Sequence, residues 1–305
     1  MIDLSMAESF LSALVRVATP LLLAALGEML AERGGVINLG VEGAMLVGAL
    51  AAAIGASSAG PWAGLLLAVA AGAVLAACFA AVAIGARTDQ IITGTATTLA
   101  ALGLTGAIYR RAFGTSGAGL SLPTLGPLEV PGLADVPLVG PALFAQPLPT
   151  YLALLAVPLL WWFLFRTRAG LALRAVGESP SSARAAGVPV RRVQVLATIA
   201  GGAFAGLAGG TLVLAQVGTF AERMTAGRGF IAIAIVVLGR WHPVGVLLAA
   251  LLFGGATALQ FLFQAAGLDV PYQLFLMLPY LLTLVLLAGI AGGVRAPAAL
   301  GRTTE

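Results

Sequence analysis

The feature that most restricts this chain is a succession of apolar runs, each close to twenty residues, separated by short stretches of Gly, Pro, Arg and acidic residues. A helix rises 1.5 Å per residue, so about 20 residues cross a hydrocarbon core of about 30 Å. In lipid every backbone polar group has to be satisfied internally, and runs of this length do so as helices, not as a barrel. Spans are expected near residues 9–26, 40–57, 62–86, 91–111, 149–165, 193–216, 228–240, 243–265 and 272–292. The run RGFIAIAIVVLGR at 228–240 is short for a crossing. It is expected either to cross as a tilted or broken helix or to dip in and return, which makes eight or nine spans. With 60% of residues hydrophobic and 9% charged, the chain lacks the polar surface a water-soluble domain of this size displays. The fold class is therefore all-α: a polytopic membrane helix bundle, with residues 1–305 as one transmembrane domain.

All 16 basic residues are arginines. A phosphate-binding P-loop needs its lysine, so ATP hydrolysis by this chain is not expected. A single histidine, His242, and a single cysteine, Cys78, are too few for the usual metal clusters, a disulfide or a Cys-His nucleophile pair. Cys78 lies within an apolar run and reads as a packing residue. His242, in GRWHP, reads as an interfacial side chain or a proton relay. The arginines flank spans and do not interleave with aromatics, which argues against nucleic acid as a partner. The first residues form no basic n-region with a cleavage motif, so no cleavable leader is expected.

Arg166, Arg168, Arg174, Arg184, Arg191 and Arg192 crowd the segment between the fifth and sixth spans, which places 166–192 in the cytoplasm. Counting crossings backward puts Arg87 and Asp89 inside, and 112–148 outside together with Asp3 and Glu8. Counting forward puts Arg295 and Arg302 inside, provided 228–240 crosses. Arg110 and Arg111, at an outer end, run against the rule. The external segment 112–148 is rich in Gly and Pro and reads as an extended, loosely folded loop, either a connector or a surface for an external partner.

Polar groups set among apolar runs carry most of the chemical information. A central acid costs about 2.5–3.5 kcal/mol to insert, so Glu28, Glu32 and Glu42 must each face protein, a base or water. Glu32 beside Arg33 suggests a local pair. Asn38 and Glu42, four apart, share one face if a helix begins before Gly40. They are the leading candidates for a polar lining of a translocation path, and a purely structural turn is the competing reading. In the fourth span Thr93 and Thr97 share a face, with Gly94 and Thr98 on the neighbouring one; these residues are expected to pack helices or to line a path. The run Gly201–Gly210 has small-xxx-small spacing and no preceding strand, which indicates tight helix contact and not a dinucleotide loop. An echo between Ala31–Val36 and Ala226–Ile231 raises the expectation of an internal inverted pseudo-repeat.

In the cytoplasmic segment, Ser179-Pro180 forms a helix start and Gly187 followed by Pro189 a stop. A short helix outside the membrane is expected there. Its residues are too small and polar to bury a core, so a partner surface is needed to hold it.

Three stretches in order, GEMLAERGGVINLGVEGAML, AVGESPSSARAAGV and GRGFIAIAIVVLGRWHPVGVLLAALLFG, resemble permeases of the branched-chain amino-acid/simple-sugar ABC importer superfamily. The resemblance runs over nearly the whole chain and is closest to the nucleoside or simple-sugar branch. It implies a multi-pass subunit of the bacterial cytoplasmic (inner) membrane that binds no cofactor itself. ATP and magnesium belong, on this reading, to a separate cytoplasmic ATPase. The other implied partners are a second related permease, in a homo- or heterodimer, and a periplasmic or lipid-anchored solute-binding protein. The resemblance also implies that Gly177, Glu178, Ser179, Pro180, Ala183, Arg184, Ala186 and Gly187 belong to a coupling helix seated on the ATPase. A bundle with hydroxyl and amide groups but little internal charge suits a neutral, hydrogen-bonding solute; purine nucleosides fit best, with sugars and branched-chain amino acids as alternatives. A self-sufficient secondary transporter or channel, coupled to protons through Glu42 or Glu28, is the rival from another class. A membrane enzyme lacks a convergent nucleophile, base or metal set.

Overall fold

The computed structural model describes residues 4–114, 121–265, 277, 281 and 296–302. The helices are α1 (Leu4–Arg33), α2 (Val41–Ala59), α3 (Pro61–Ala80), α4 (Gln90–Phe113), α5 (Leu148–Arg166), α6 (Arg168–Glu178), α7 (Pro180–Ala185), α8 (Val190–Thr211), α9 (Arg228–Leu238) and α10 (Pro243–Ala265). α3 and α8 continue through single wider turns at Ala81–Gly85 and Leu212–Val217. Seven of the described helices, α1 to α5, α8 and α10, are long and apolar enough to cross a membrane. The expected ninth span, 272–292, lies outside the described residues except for 277 and 281, and Asp3 and Arg295 lie outside them too.

The helix ends follow local chemistry. Asp89 caps α4 by accepting the Ile92 N–H at 2.9 Å. Pro61 opens α3 after Gly60 at φ +87°, and Pro243 opens α10 after two positive-φ residues, Arg240 and Trp241. α1 overruns the expected span: it continues through Glu28 and Glu32 to Arg33, because both acids find buried partners, Glu28 in the Asn38 N–H just after the helix and Glu32 in the distant Trp241.

Two ends of the bundle can be told apart. At one, Arg191 donates to the Gly85 carbonyl (3.0 Å), Gln194 to that of Gly34 (3.1 Å) and Arg33 to that of Trp241 (2.8 Å). This is the arginine-rich end. Ala299 and Gly301 reach it too, through N–H bonds to Gly177 and Gly35. At the opposite end Arg110 pairs with Glu222 at 2.7 Å, which answers the awkward placement of that arginine. α10 leaves the arginine-rich end at Pro243 and runs past Ala18 and Leu14 of α1. The 218–238 segment joins the two ends of the bundle in two parts: a nonhelical leg over 218–227, then α9, shorter than the seven long helices, toward the arginine-rich end.

α8 is the centre of the packing. Its glycines let backbones touch: Gly201 faces Gly27, Gly206 faces Gly48 and Gly72, and Gly209 lies so close to Met45 that a Cβ would overlap its carbonyl oxygen. Helices in lipid gain little from burying apolar surface against one another, so close approach of small residues supplies the contact energy. Outward side chains such as Leu66, Ile92, Leu99, Leu196 and Leu248 form an exposed apolar belt.

Residues 121–148, expected to be external, are more ordered than their composition suggests. β1 (Pro127–Glu129) pairs antiparallel with β2 (Ala145–Pro147), and Tyr151 donates to the Leu128 carbonyl at 2.9 Å. Gln146, fully buried, donates to Ser12, and Glu8 accepts the Leu138 N–H at 3.0 Å. Partners on α1 therefore hold a segment without helical periodicity of its own.

Candidate translocation junction and coupling elbow

The deepest polar cluster forms where two helices start. After α1 the chain turns at Gly35 (φ +84°) and re-enters as an extended strip to Leu39. Leu39 accepts the Thr98 hydroxyl at 2.9 Å. Thr98 lies nine residues beyond the α4 cap Asp89, so at 1.5 Å per residue the strip ends about 13 Å inside the bundle. There α2 starts at Val41 and runs to the opposite end, while α9 starts at Arg228 and runs back. Gly229 lies directly against the Glu42 backbone.

Glu42 joins the two starts. One carboxylate oxygen accepts the Thr225 hydroxyl (2.7 Å) and the Gly227 N–H (2.8 Å), and the other accepts the Gly229 N–H (2.7 Å). An acid at a helix start satisfies N–H groups that have no intrahelical partner and meets the positive end of the helix dipole. Glu42 is 6% exposed, so the three donors take the place of water at its carboxyl oxygens.

Asn38 does not share a helix face with Glu42, because α2 begins only at Val41. Instead the Asn38 side chain accepts the Gly40 N–H at 3.0 Å, and its backbone N–H donates to Glu28 at 2.9 Å. Thr93 and Thr97 are half-buried, and their hydroxyls donate back to Asp89 and Thr93 within α4. The contact with the strip is made by the neighbouring face, through Gly94 against Leu39 and Thr98. Thr97 is nevertheless close, its methyl facing Gly40. The Ala31–Val36 and Ala226–Ile231 stretches are not counterparts: the first ends α1 at the arginine-rich end and the second starts α9 inside the bundle. The antiparallel pair of starts at Glu42 is the local arrangement an inverted repeat produces.

A second cluster closes the arginine-rich end. Glu32 accepts the indole N–H of Trp241, and Arg33 donates to the Trp241 carbonyl, so the two neighbours bind one distant residue and not each other. Gln90 accepts the Ile37 N–H at 2.8 Å. Neither Gln90, Gln194, Thr225 nor Trp241 stands out in sequence; only Gln194, a polar side chain one turn inside α8, carried a local signal. His242 stacks near Phe165 (5.3 Å), and its pKa is held below the ordinary histidine value by burial and by the Arg33 charge.

The elbow between α5 and α8 contains the expected short helix. Ser179 caps α7, accepting the Ser182 N–H at 3.4 Å, Pro180 is its first residue, and Gly187 ends the turn at φ +81°. Ala183, buried, packs with Val176 and Val190 and holds α7 to α6 and α8. Ser181, Arg184, Ala185 and Ala186 are exposed. Gly177 sits where a Cβ would overlap the Arg33 carbonyl, and Glu178 accepts the Ala298 N–H at 3.4 Å. The elbow is thus in backbone contact with the strip that leads to Glu42. Among the described residues, no three His, Cys, Asp or Glu side chains are grouped to hold a metal.

Comparison with known proteins adds independent findings. The family model described as the permease component of branched-chain amino acid transport systems matches residues 10–293. The chain is 37% identical over 294 residues to the guanosine ABC transporter permease protein NupQ of Bacillus subtilis, covering 93% of this chain and 92% of that one. It is 44% identical over 269 residues to the putative glucose ABC transporter permease protein TsgC13 of Haloferax volcanii, covering 87% and 80%. It is 34% identical over 294 residues to the nucleoside ABC transporter permease protein NupC of Lactococcus lactis, covering 93% and 92%. No solved structure matches it.

Proposed function

We propose that this chain, which belongs to the branched-chain amino acid transport system permease family, is the subunit through which a nucleoside, with purines favoured, enters the cell. It is a multi-pass membrane permease of an ABC transporter and a transport subunit, not an enzyme. The observation that carries the nucleoside reading is end-to-end similarity to a guanosine permease, covering 93% of this chain. The 44% identity to a putative glucose permease makes a sugar the second reading. Both solutes are neutral and rich in hydrogen-bonding groups, in keeping with a bundle whose internal acids are occupied by protein donors.

On this reading the chain sits in a bacterial cytoplasmic membrane with its arginine-rich end inside. A separate ATPase holds ATP and magnesium, a second permease completes the path, and a periplasmic or lipid-anchored protein delivers the solute. The ATPase seats on α7, around Ser179, Pro180, Arg184 and Gly187. A displacement of α7 is transmitted by α6 to Gly177, which bears on Arg33 and Gly35, and from there along Asn38 to the α2 start at Glu42. Asn38, Glu42, Thr93 and Thr97 surround the place where that motion reaches the bundle interior.

The test is uptake into proteoliposomes that contain the chain with its ATPase and second permease. ATP-dependent guanosine uptake, competed by other nucleosides and not by glucose, is expected. Glucose uptake alone moves the chain to the sugar reading. Accumulation by this polypeptide without any ATPase refutes the importer.

A further inference from the structure

Two cavities flank one side chain at the arginine-rich end. The first, of about 660 Å³, is bordered by Ile84, Arg87, Arg184, Arg191, Arg192 and Leu196. The second, of about 390 Å³, runs between α5, α6 and α8, with Leu160, Phe163, Leu196, Ala200 and Phe204 on its walls. Leu196 lines both and is 67% exposed. Among the described residues, no acidic one borders either cavity.

We propose that this pair of cavities binds one anionic phospholipid of the leaflet at that end, with its phosphate at Arg87, Arg191 and Arg192 and an acyl chain in the slot beside Ala200. Three features choose this occupant. The first cavity is cationic, and basic side chains at a membrane surface attract anionic headgroups. The slot is almost wholly apolar and follows α8 from Val193 to Phe204, about 16 Å at 1.5 Å per residue. Leu196 lies within the apolar span Val190–Val217, about a turn beyond Arg192, so the charged and the apolar cavity meet where the helix passes from basic to apolar residues. Arg191 is moreover tied back to the Gly85 carbonyl at 3.0 Å, so its guanidinium lies in the α3–α8 crevice and does not reach outward from the elbow. Charge and apolar slot adjoin as they do in a two-part lipid.

Native mass spectrometry of the full chain released from detergent tests this with three probes: palmitoyl-oleoyl phosphatidylglycerol, the matching phosphatidylcholine, and glycerol 3-phosphate. Phosphatidylglycerol is expected to be retained over phosphatidylcholine, and glycerol 3-phosphate not to displace it. Arg87→Gln, Arg191→Gln and Arg192→Gln should each weaken phosphatidylglycerol about fivefold, and Ala200→Trp should weaken both lipids by filling the slot. Equal retention of the two lipids by the unaltered chain overturns the proposal without recourse to any variant. Displacement by glycerol 3-phosphate makes the groove a free-phosphate site and also overturns it. So does a result in which the arginine variants keep their lipid but lose a second permease copy or the ATPase, which would assign the face to a protein partner.

Discussion

Removing the Glu42 carboxylate tests whether the two helix starts depend on it. Glu42→Ala strands three donors in a site that is 6% exposed: the Thr225 hydroxyl and the Gly227 and Gly229 N–H groups. A buried donor left without a partner costs about 1–3 kcal/mol. Relaxation of the nonhelical leg 218–227 favours the low end, so about 3 kcal/mol is expected for the alanine variant. Glu42→Gln keeps one carbonyl acceptor but turns an amide donor toward other donors, and should cost about 1–2 kcal/mol. The assay is unfolding of the purified chain by sodium dodecyl sulfate titrated into a mild detergent, followed by tryptophan fluorescence. A double-mutant cycle with Thr225→Val isolates the hydroxyl bond, for which a coupling of about 1 kcal/mol or more is expected. Additive effects in that cycle, or an alanine variant no less stable than the glutamine one, would refute the junction as drawn. Uptake should fall in both variants beyond what the loss of folded protein explains.

Glu178→Arg or Gly187→Trp should uncouple uptake and weaken ATPase co-purification while the chain still folds, the tryptophan variant losing about 1–2 kcal/mol in the detergent titration. Gly187 has open space around it and a left-handed backbone, so the tryptophan strains only the elbow; unchanged uptake in either variant counts against α7 as the lever. Gly209→Val forces a side chain into the Met45 carbonyl and should reduce membrane-inserted yield severalfold in quantitative blots, with normal yield contradicting the α2–α8 contact. Trp241→Phe removes the donor to Glu32 and should cost about 1–3 kcal/mol in the same detergent titration. The pKa of His242 is depressed in the folded chain, so the unfolded chain binds more protons below pH about 6.5 and stability rises with pH through that window, then levels. His242→Gln should flatten that rise; an undiminished slope in the variant would place its origin elsewhere.

The helix ends were largely legible because Asp89, Pro61, Pro189 and Pro243 punctuate the apolar runs, and such signals act within a turn of where they stand. α7 was legible for the same reason, Ser179-Pro180 and Gly187 being local cues. What the sequence concealed depends on partners far along the chain. α1 passes its expected end because Glu32 meets Trp241, 209 residues away, and Asn38 stays off the α2 face of Glu42 because it turns onto Gly40 and leans on Glu28. Glu42 was singled out by its cost in lipid, but its donors lie 183 to 187 residues away, so periodicity could not name them. The pairing of β1 with β2 has the same origin, since α1 side chains hold that segment.

Glycine-to-backbone contact around α8 also limits how this protein can move. Where Gly201 meets Gly27 and Gly206 meets Gly48 and Gly72, a shift of one residue along the axis would drive a bulkier side chain into a neighbouring carbonyl. The first three helices and the eighth therefore travel together as an unsheared raft during any transport cycle. Opening and closing must be absorbed at the raft's margins, so spin labels placed within it should keep their separations while those across its edge change.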